Sequence, residues 1–364
     1  MTSRIRPALA VLVVAVLAGS LHAAGPRDSL KKGTLELQSI GALAFGPEGI
    51  LFVGDPRAAA IFALDTEDRA APSSTDRPKV EAIDEKIASL LGIEATQLVV
   101  NDLAVNPISG NTYMGVTRGK GADGKPVLLR VERSGKIAEV PLKDVAFART
   151  ALANPGKGRG PGDVITDMAY VNGQLLVACL SNEEFSSQFR VIPFPFQEVT
   201  KGTSVEIFHG SHGRLETKSP IRTFAPYQIK GEANVLAAYT CTPLVQVPVS
   251  ELKPGANIKG KTIAELGNGN RPLDMIVYQK DGKDYLLMAN SDRGVMKIPL
   301  DGVGKAEGIT KPVPRDKVTA GLPYQTVESL KGVEQLDVFD KDHALIVYRA
   351  KKDGPMTLET VELP

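Results

Sequence analysis

Three aspartates, Asp102, Asp167 and Asp274, stand at the same place in three stretches of similar pattern, each opening a short apolar run. If those stretches are copies of one unit, the carboxylates converge. Converging carboxylates bind a cation through oxygen, or share protons as a catalytic acid and base, because like charges raise one another's pKa. A structural reading competes: aspartate at a turn accepts backbone amides and caps its own strand. At the corresponding place the other stretches carry Gln335, Ala42 and either Pro226 or Tyr227.

A second group lies in the loop His209-Gly-Ser-His212-Gly-Arg-Leu-Glu216. Two imidazoles at that spacing reach one metal ion, and Glu216 adds an oxygen ligand. No helix fixes the geometry as in a His-Glu-x-x-His signature, so loop histidines bonded to backbone are the competing reading. Tyr239 and Cys241 follow a strand of the next unit and can flank this loop, with Cys241 either a ligand or merely small and buried. Arg271 enters the stretch of Asp274 and either holds an anionic ligand bidentately or pairs with that aspartate. The candidate sets are therefore Asp102, Asp167 and Asp274 for catalysis, Arg271, Gln335 and Tyr239 for a ligand, and His209, His212 and Glu216 for a divalent metal ion as cofactor.

These residues need a frame. The repeated unit is an apolar strand, a turn rich in Gly, Asn or Asp, and a second apolar strand, at residues 43–55, 101–115, 166–178, 226–238, 273–288 and 335–347. The copies begin roughly 50 to 65 residues apart, a period at which propellers are the usual solution for antiparallel strands. Tight turns in place of crossover helices exclude a parallel α/β sheet. The expectation is an all-β, six-bladed β-propeller with one inserted helix, residues 80–91, between blades one and two. Ile83, Ile87, Leu90 and Leu91 share a face of that helix and Gly92 ends it. Residues 35–39 are the candidate strand that closes the ring beside residues 357–361. In that ring the aspartates and the histidine loop share one face.

The phrase Leu43-Ala-Phe-Gly-Pro-Glu-Gly-Ile-Leu-Phe-Val resembles the first hairpin of NHL-repeat and gluconolactonase-like six-bladed propellers, and Asn101-Asp-Leu-Ala-Val-Asn-Pro-Ile-Ser-Gly looks like a blade opening of the same group. In diluted form the likeness extends over most of the chain. It implies the fold, whose phrases are shared by propellers of many functions. Gluconolactonase relatives place a Glu metal ligand at the start of the first blade, where this chain has Gly41 and Ala42. The segments around His209 and Tyr239 look like those of uncharacterised exported bacterial propellers.

Residues 1–24 have the order of a secretory leader: Arg4 and Arg6, an apolar run over 8–18, then small residues to Ala24. An uncleaved anchor is the alternative. The expectation is a periplasmic or secreted chain with one propeller domain over 25–364 and no membrane span after cleavage. Glycine (35) and proline (25) suit many short strands. Lys and Arg (43) balance Asp and Glu (42), which gives no electrostatic case for nucleic acid or an acidic membrane. Cys179 and Cys241 form either one bridge or two free thiols. A nucleophile elbow, a phosphate loop and a haem-attachment motif are absent. Three functions follow as expectations for a monomer: a metal-assisted hydrolase of lactonase or esterase type acting on a small molecule, a scaffold for a protein partner, and a quinoprotein-like redox propeller.

Overall fold

A computed structural model describes residues 25–364 except Ser73, 157–160, Glu184, 198–200, Thr242 and 315–318, so the leader lies outside the described residues. The chain is mostly β, as its turns dictate. Asn172-Gly173 and Asp281-Gly282 have positive φ at both positions, 49° and 82° and then 52° and 72°. Two such residues make the tight turn whose twist matches flanking antiparallel strands. Val171 accordingly pairs with Gln174, and Lys280 with Lys283.

Among the described residues the strands sort into four-stranded antiparallel units, taken here in chain order of their innermost strands. The first sheet is Leu43–Phe45, Ile50–Asp55, Ala60–Asp65 and Val145–Ala151, with Lys31–Gly33 at its edge; the second is Leu98–Val105, Thr112–Arg118, Lys125–Val131 and Ile137–Glu139. The third is Asp167–Val171, Gln174–Leu180, Ser187–Pro193 and Thr203–His209; the fourth is Ile221–Ile229, Glu232–Tyr239, Pro243–Pro248 and Asn257–Glu265. The fifth is Pro272–Lys280, Lys283–Asn290, Gly294–Pro299 and Gln325–Thr326; the sixth is Val333–Val338, His343–Arg349, Met356–Glu362 and Lys79–Val80. The outer strands of the third and fourth pair in parallel, Val205 with Ile258, which joins these two into one larger sheet.

The innermost strands lie against one another in the spatial order first, third, fourth, fifth, sixth, second, and the second returns to the first. Apolar side chains fill the spaces between facing sheets. Phe52 and Ile61 of the first meet Met168 and Val177 of the third, and Leu287 and Val295 of the fifth meet Leu336 and Ile346 of the sixth. Each fully buried Phe, Leu or Ile contributes about 1.5–3 kcal/mol, so the faces between sheets carry the stability.

Two expectations about framing change. Residues 35–39 form no strand; Leu35 is buried among apolar side chains of the first two sheets instead. The fourth strand of the sixth sheet is Lys79–Val80, paired with Glu359 and Leu358. The fourth hairpin also begins earlier than residue 226, at Ile221. The helix is Ile83–Leu91, closed by Gly92 at φ 65°. Its buried face is Ile83, Ile87 and Leu91, packed on the second and sixth sheets, whereas Leu90 is exposed.

Asp84 ties this helix down by accepting the Met356 N–H at 2.8 Å and the Arg349 guanidinium at 3.3 Å. Asp84→Ala leaves a buried amide without its acceptor, so urea denaturation is expected to show a loss of about 1–3 kcal/mol. An unchanged midpoint would mean that the helix is not anchored through this carboxylate.

Candidate functional site

Each sheet contributes one residue, on its innermost strand or, for Ala42, just before it, to a common layer around the axis: Ala42, Asp167, Thr223, Asp274, Gln335 and Asp102 in spatial order. All six line a cavity of about 260 Å³ at the channel mouth. The fourth sheet supplies Thr223, which replaces Pro226 or Tyr227 at that place; the strand starts earlier, and Thr223 pairs with Ala238 as Asp167 does with Ala178. On the other side of the layer, a cavity of about 680 Å³ shares Asp102, Asp167 and Asp274 and is walled by apolar groups such as Phe45, Tyr170 and Phe224. The carboxylates form the waist between the two.

Their oxygens are engaged. Asp102 accepts the Leu43 N–H of the first sheet at 2.6 Å and its own neighbour Leu103 at 2.9 Å. Asp167 accepts Phe224 of the fourth sheet and Met168, both at 2.7 Å. Asp274 accepts Leu336 of the sixth sheet and Met275, both at 2.8 Å. Asp337 makes the same stitch to Val105 of the second sheet at 2.7 Å. These carboxylates thus fasten neighbouring innermost strands together. Burial pushes Asp167 and Asp337 up to about 6 against the opposing amide bonds. Burial, reinforced by neighbouring carboxylates, raises Asp102 and Asp274 well above the ordinary aspartate range.

The histidines sit elsewhere. His209 ends the outermost strand of the third sheet, while the aspartates are on innermost strands. Three strand spacings of ~4.8 Å put about 14 Å between such positions. The structure therefore does not bring the histidines together with the axial carboxylates as one site.

At the outer position Arg214–Glu216 folds back on the strand, pairing Arg214 with His209. This carries Glu216 beneath both rings: Oε2 lies 2.9 Å from His209 Nδ1 and Oε1 lies 2.7 Å from His212 Nδ1. The rings stand 3.8 Å apart by their centroids. A carboxylate only accepts, so each Nδ1 carries a hydrogen, and in the neutral ring each Nε2 presents a lone pair. His209 is fully buried, yet its Nε2 has no hydrogen-bond partner among the described residues. The Glu265 Oε2 of the fourth sheet stands 3.9 Å away. Two acceptors facing each other in a dry site call for a cation between or beside them.

Cys241 supplies the third donor. It lies in a turn at φ 65°, partly exposed, its N–H bonded to Asn270 O at 2.9 Å. Ligand atoms of His209, His212 and Cys241 all lie within 4.8 Å of one another. Glu216, expected as a metal ligand, instead spends both oxygens on orienting the imidazoles. Burial opposes its ionisation, but the hydrogen bonds of His209 and His212, with the charge of His209 and the Arg214 bond, pull the carboxyl down to about 2. Glu265 is raised by burial, against His209 and the bonds from Gly210 N–H and Ser211.

The remaining candidates divide. Gln335 is in the axial layer and donates to Asn101 O at 3.4 Å. Arg271 is exposed in a separate cleft of about 870 Å³, beside Ser291 and Asp292. Asp274 takes two amides, which answers the pairing expected with Arg271. Tyr239, expected beside a ligand, is fully buried in the core that the third and fourth sheets share. Cys179 and Cys241 are both free thiols.

A cleft of about 730 Å³ opens beside the histidines, lined among others by His212, Cys241, Arg214, Lys218 and Arg222. Sequence reasoning passed over Asp337, Glu265 and Arg222. The signal for Asp337 was present, two residues after Gln335 and so on the same strand face.

No protein-family model matches this chain, and no curated protein matches it. Solved structures similar in shape include the PQQ-bound form of aldose sugar dehydrogenase from Streptomyces coelicolor, 13% identical, with a TM-score of 0.38 over 91% of this chain and 96% of that one. A putative oxidoreductase (glucose dehydrogenase) from Thermus thermophilus is 12% identical, with a TM-score of 0.37 over 91% and 100%. A streptogramin B lyase is 8% identical, with a TM-score of 0.32 over 92% and 97%. Nothing of those proteins' chemistry passes to this chain on likeness of that degree. Among the described residues no helix is long and apolar enough to cross a membrane.

Proposed function

We propose that this chain is an exported, single-domain, six-bladed β-propeller that holds a divalent metal ion of the zinc class between His209, His212 and Cys241 and uses it for metal-assisted hydrolysis of a small molecule. The observation that carries this reading is the buried, unpartnered Nε2 of His209 beside a second imidazole and a thiol. Two nitrogens and one sulfur suit zinc better than magnesium or calcium, which take oxygen. Three protein donors are the number typical of catalytic zinc, where the fourth place is left for water or substrate. Such an ion acidifies bound water and polarises a carbonyl or phosphoryl oxygen.

The chain's own residues have distinct parts. Glu216 fixes the tautomer and tilt of both rings. Glu265 lies next to His209 Nε2, with burial raising its carboxyl above the ordinary glutamate range, which strengthens it as a proton acceptor. The cleft beside His212 and Cys241 admits the molecule acted upon.

Metal analysis of the full chain after dialysis against zinc tests the reading. Stoichiometric zinc that chelator removes, with a rise in melting temperature on reloading, is expected. Protein that takes up no zinc would show that a proton on His209, held between Glu216 and Glu265, is the only cation the site accepts.

A further inference from the structure

We infer that the molecule taken by the cleft beside His212 and Cys241 carries an oxyanion, a phosphate or a carboxylate, held by Arg222. This rests on the metal reading and names the substrate class of the same site. The innermost strand of the fourth sheet slips register between Ile221 and Thr223, which takes Arg222 out of the ladder. The same slip recurs at Asn101, Leu273 and Glu334 in the second, fifth and sixth sheets, so the repeat turns one side chain aside at this place and the fourth sheet puts an arginine there.

The re-aimed guanidinium is fixed at two points. Its Nε donates to Thr240 Oγ1 at 2.9 Å and its Nη1 to Asp163 Oδ1 at 2.7 Å. Thr240 is the chain neighbour of Cys241, so the first bond ties the guanidinium to the segment that bears the thiol donor. Among the described residues Nη2 has no hydrogen-bond partner, and the side chain is 22% exposed. A rigid donor in the cleft that His212 and Cys241 also line suits a planar or tetrahedral oxyanion, because one oxygen can meet the ion and another the open Nη2.

Charge supports the same class. Arg214, Lys218 and Arg222 line the cleft against Asp163 and Glu216. Both carboxylates are already bonded within the protein, Asp163 to Arg222 and Glu216 to the two histidines and Arg214. The surplus is cationic before any metal is added, which draws anions in. Arg222 also lines the mouth cavity, so a molecule anchored on it reaches from the outer cleft toward the axis.

Calorimetric titration of the zinc-loaded full chain with inorganic phosphate, and separately with acetate, tests the inference. Arg222→Gln should weaken whichever anion binds by at least ~10-fold, since the charged donor at Nη2 is lost. Arg222→Lys, which keeps the charge without the guanidinium's fixed position, should fall between and guards against a folding defect in the first variant. Binding of phosphate alone identifies a phosphoryl substrate, and of acetate alone a carboxylate. The inference is overturned if zinc-loaded protein binds neither anion, or if both variants bind as the parent does at equal zinc content. Metal content measured on the same samples separates the two readings. Zinc-free protein that still binds anions through Arg222 removes the metal alone, and zinc-loaded protein blind to anions removes this inference alone.

Discussion

Replacing His209, His212 or Cys241 is expected to lower zinc affinity by at least ~100-fold, measured by competition with a chromophoric chelator. One donor of three is lost in each case, and water does not replace a protein imidazole or thiolate at equal strength. Glu216→Gln should cost ~10–100-fold without touching a ligand, because an amide cannot accept from both Nδ1 groups as the carboxylate does. Stability should separate the positions. His212 is exposed and its loss should barely move the melting temperature, whereas His209→Ala leaves the buried Glu265 without its facing ring. Asp102→Asn is the contrasting case, expected to melt earlier with zinc affinity intact, because that carboxylate stitches Leu43 to the second sheet. If His212→Ala and Cys241→Ser bind zinc as tightly as the parent, the three residues are not a shell.

Stability should fall as pH rises from about 4 to 6, the reverse of the usual gain from paired carboxylates. Asp167 and Asp337 move from 3.8 up to about 6 on folding. A raised carboxyl binds its proton more tightly in the folded chain, so its contribution is complete below the unfolded value and is lost as pH passes the folded one. At 1.36 kcal/mol per unit, Asp167 alone accounts for about 3 kcal/mol. Glu216 works in the opposite sense: lowered from 4.5 to about 2, it adds stability above its ordinary value that disappears in strong acid. The two together predict a maximum in mildly acidic solution. Asp167→Asn should be less stable near pH 4, having lost one amide acceptor, and should decline less steeply than the parent between about pH 4 and 6. Melting temperatures of the parent that are flat or rising over that range would refute the shared burial of these carboxyls.

The hairpins were legible because their turns are local chemistry: Asn172-Gly173 and Asp281-Gly282 state the strand ends by residue type alone. The aspartates were legible because each directly precedes an apolar run of recognisable pattern. Their bonds across to the next sheet were not, because Asp167 and Phe224 are far apart in sequence and only the stacking of sheets makes them neighbours. The histidine loop stood out by composition, but its distance from the axis depends on how many strands precede it in the third sheet. Cys241 was read as either a ligand beside the histidines or a small buried residue, because the turn that carries it belongs to the next sheet. The closing strand Lys79–Val80 was hidden altogether, as two residues carry no alternation to read.

That short strand also sets a clock. Lys79 and Val80 pair with Glu359 and Leu358, and Lys79 reaches the Glu359 carboxylate at 2.9 Å. The seam joins residues separated by 280 positions. During synthesis the sheets bounded by nearby residues can assemble as they emerge, but this one waits until residue 359 has been made. Contacts so remote in sequence are slow to find, and until they form the last sheet exposes an open edge to other chains. Refolding should therefore end in a slow step, and the chain should be most prone to aggregate just before it.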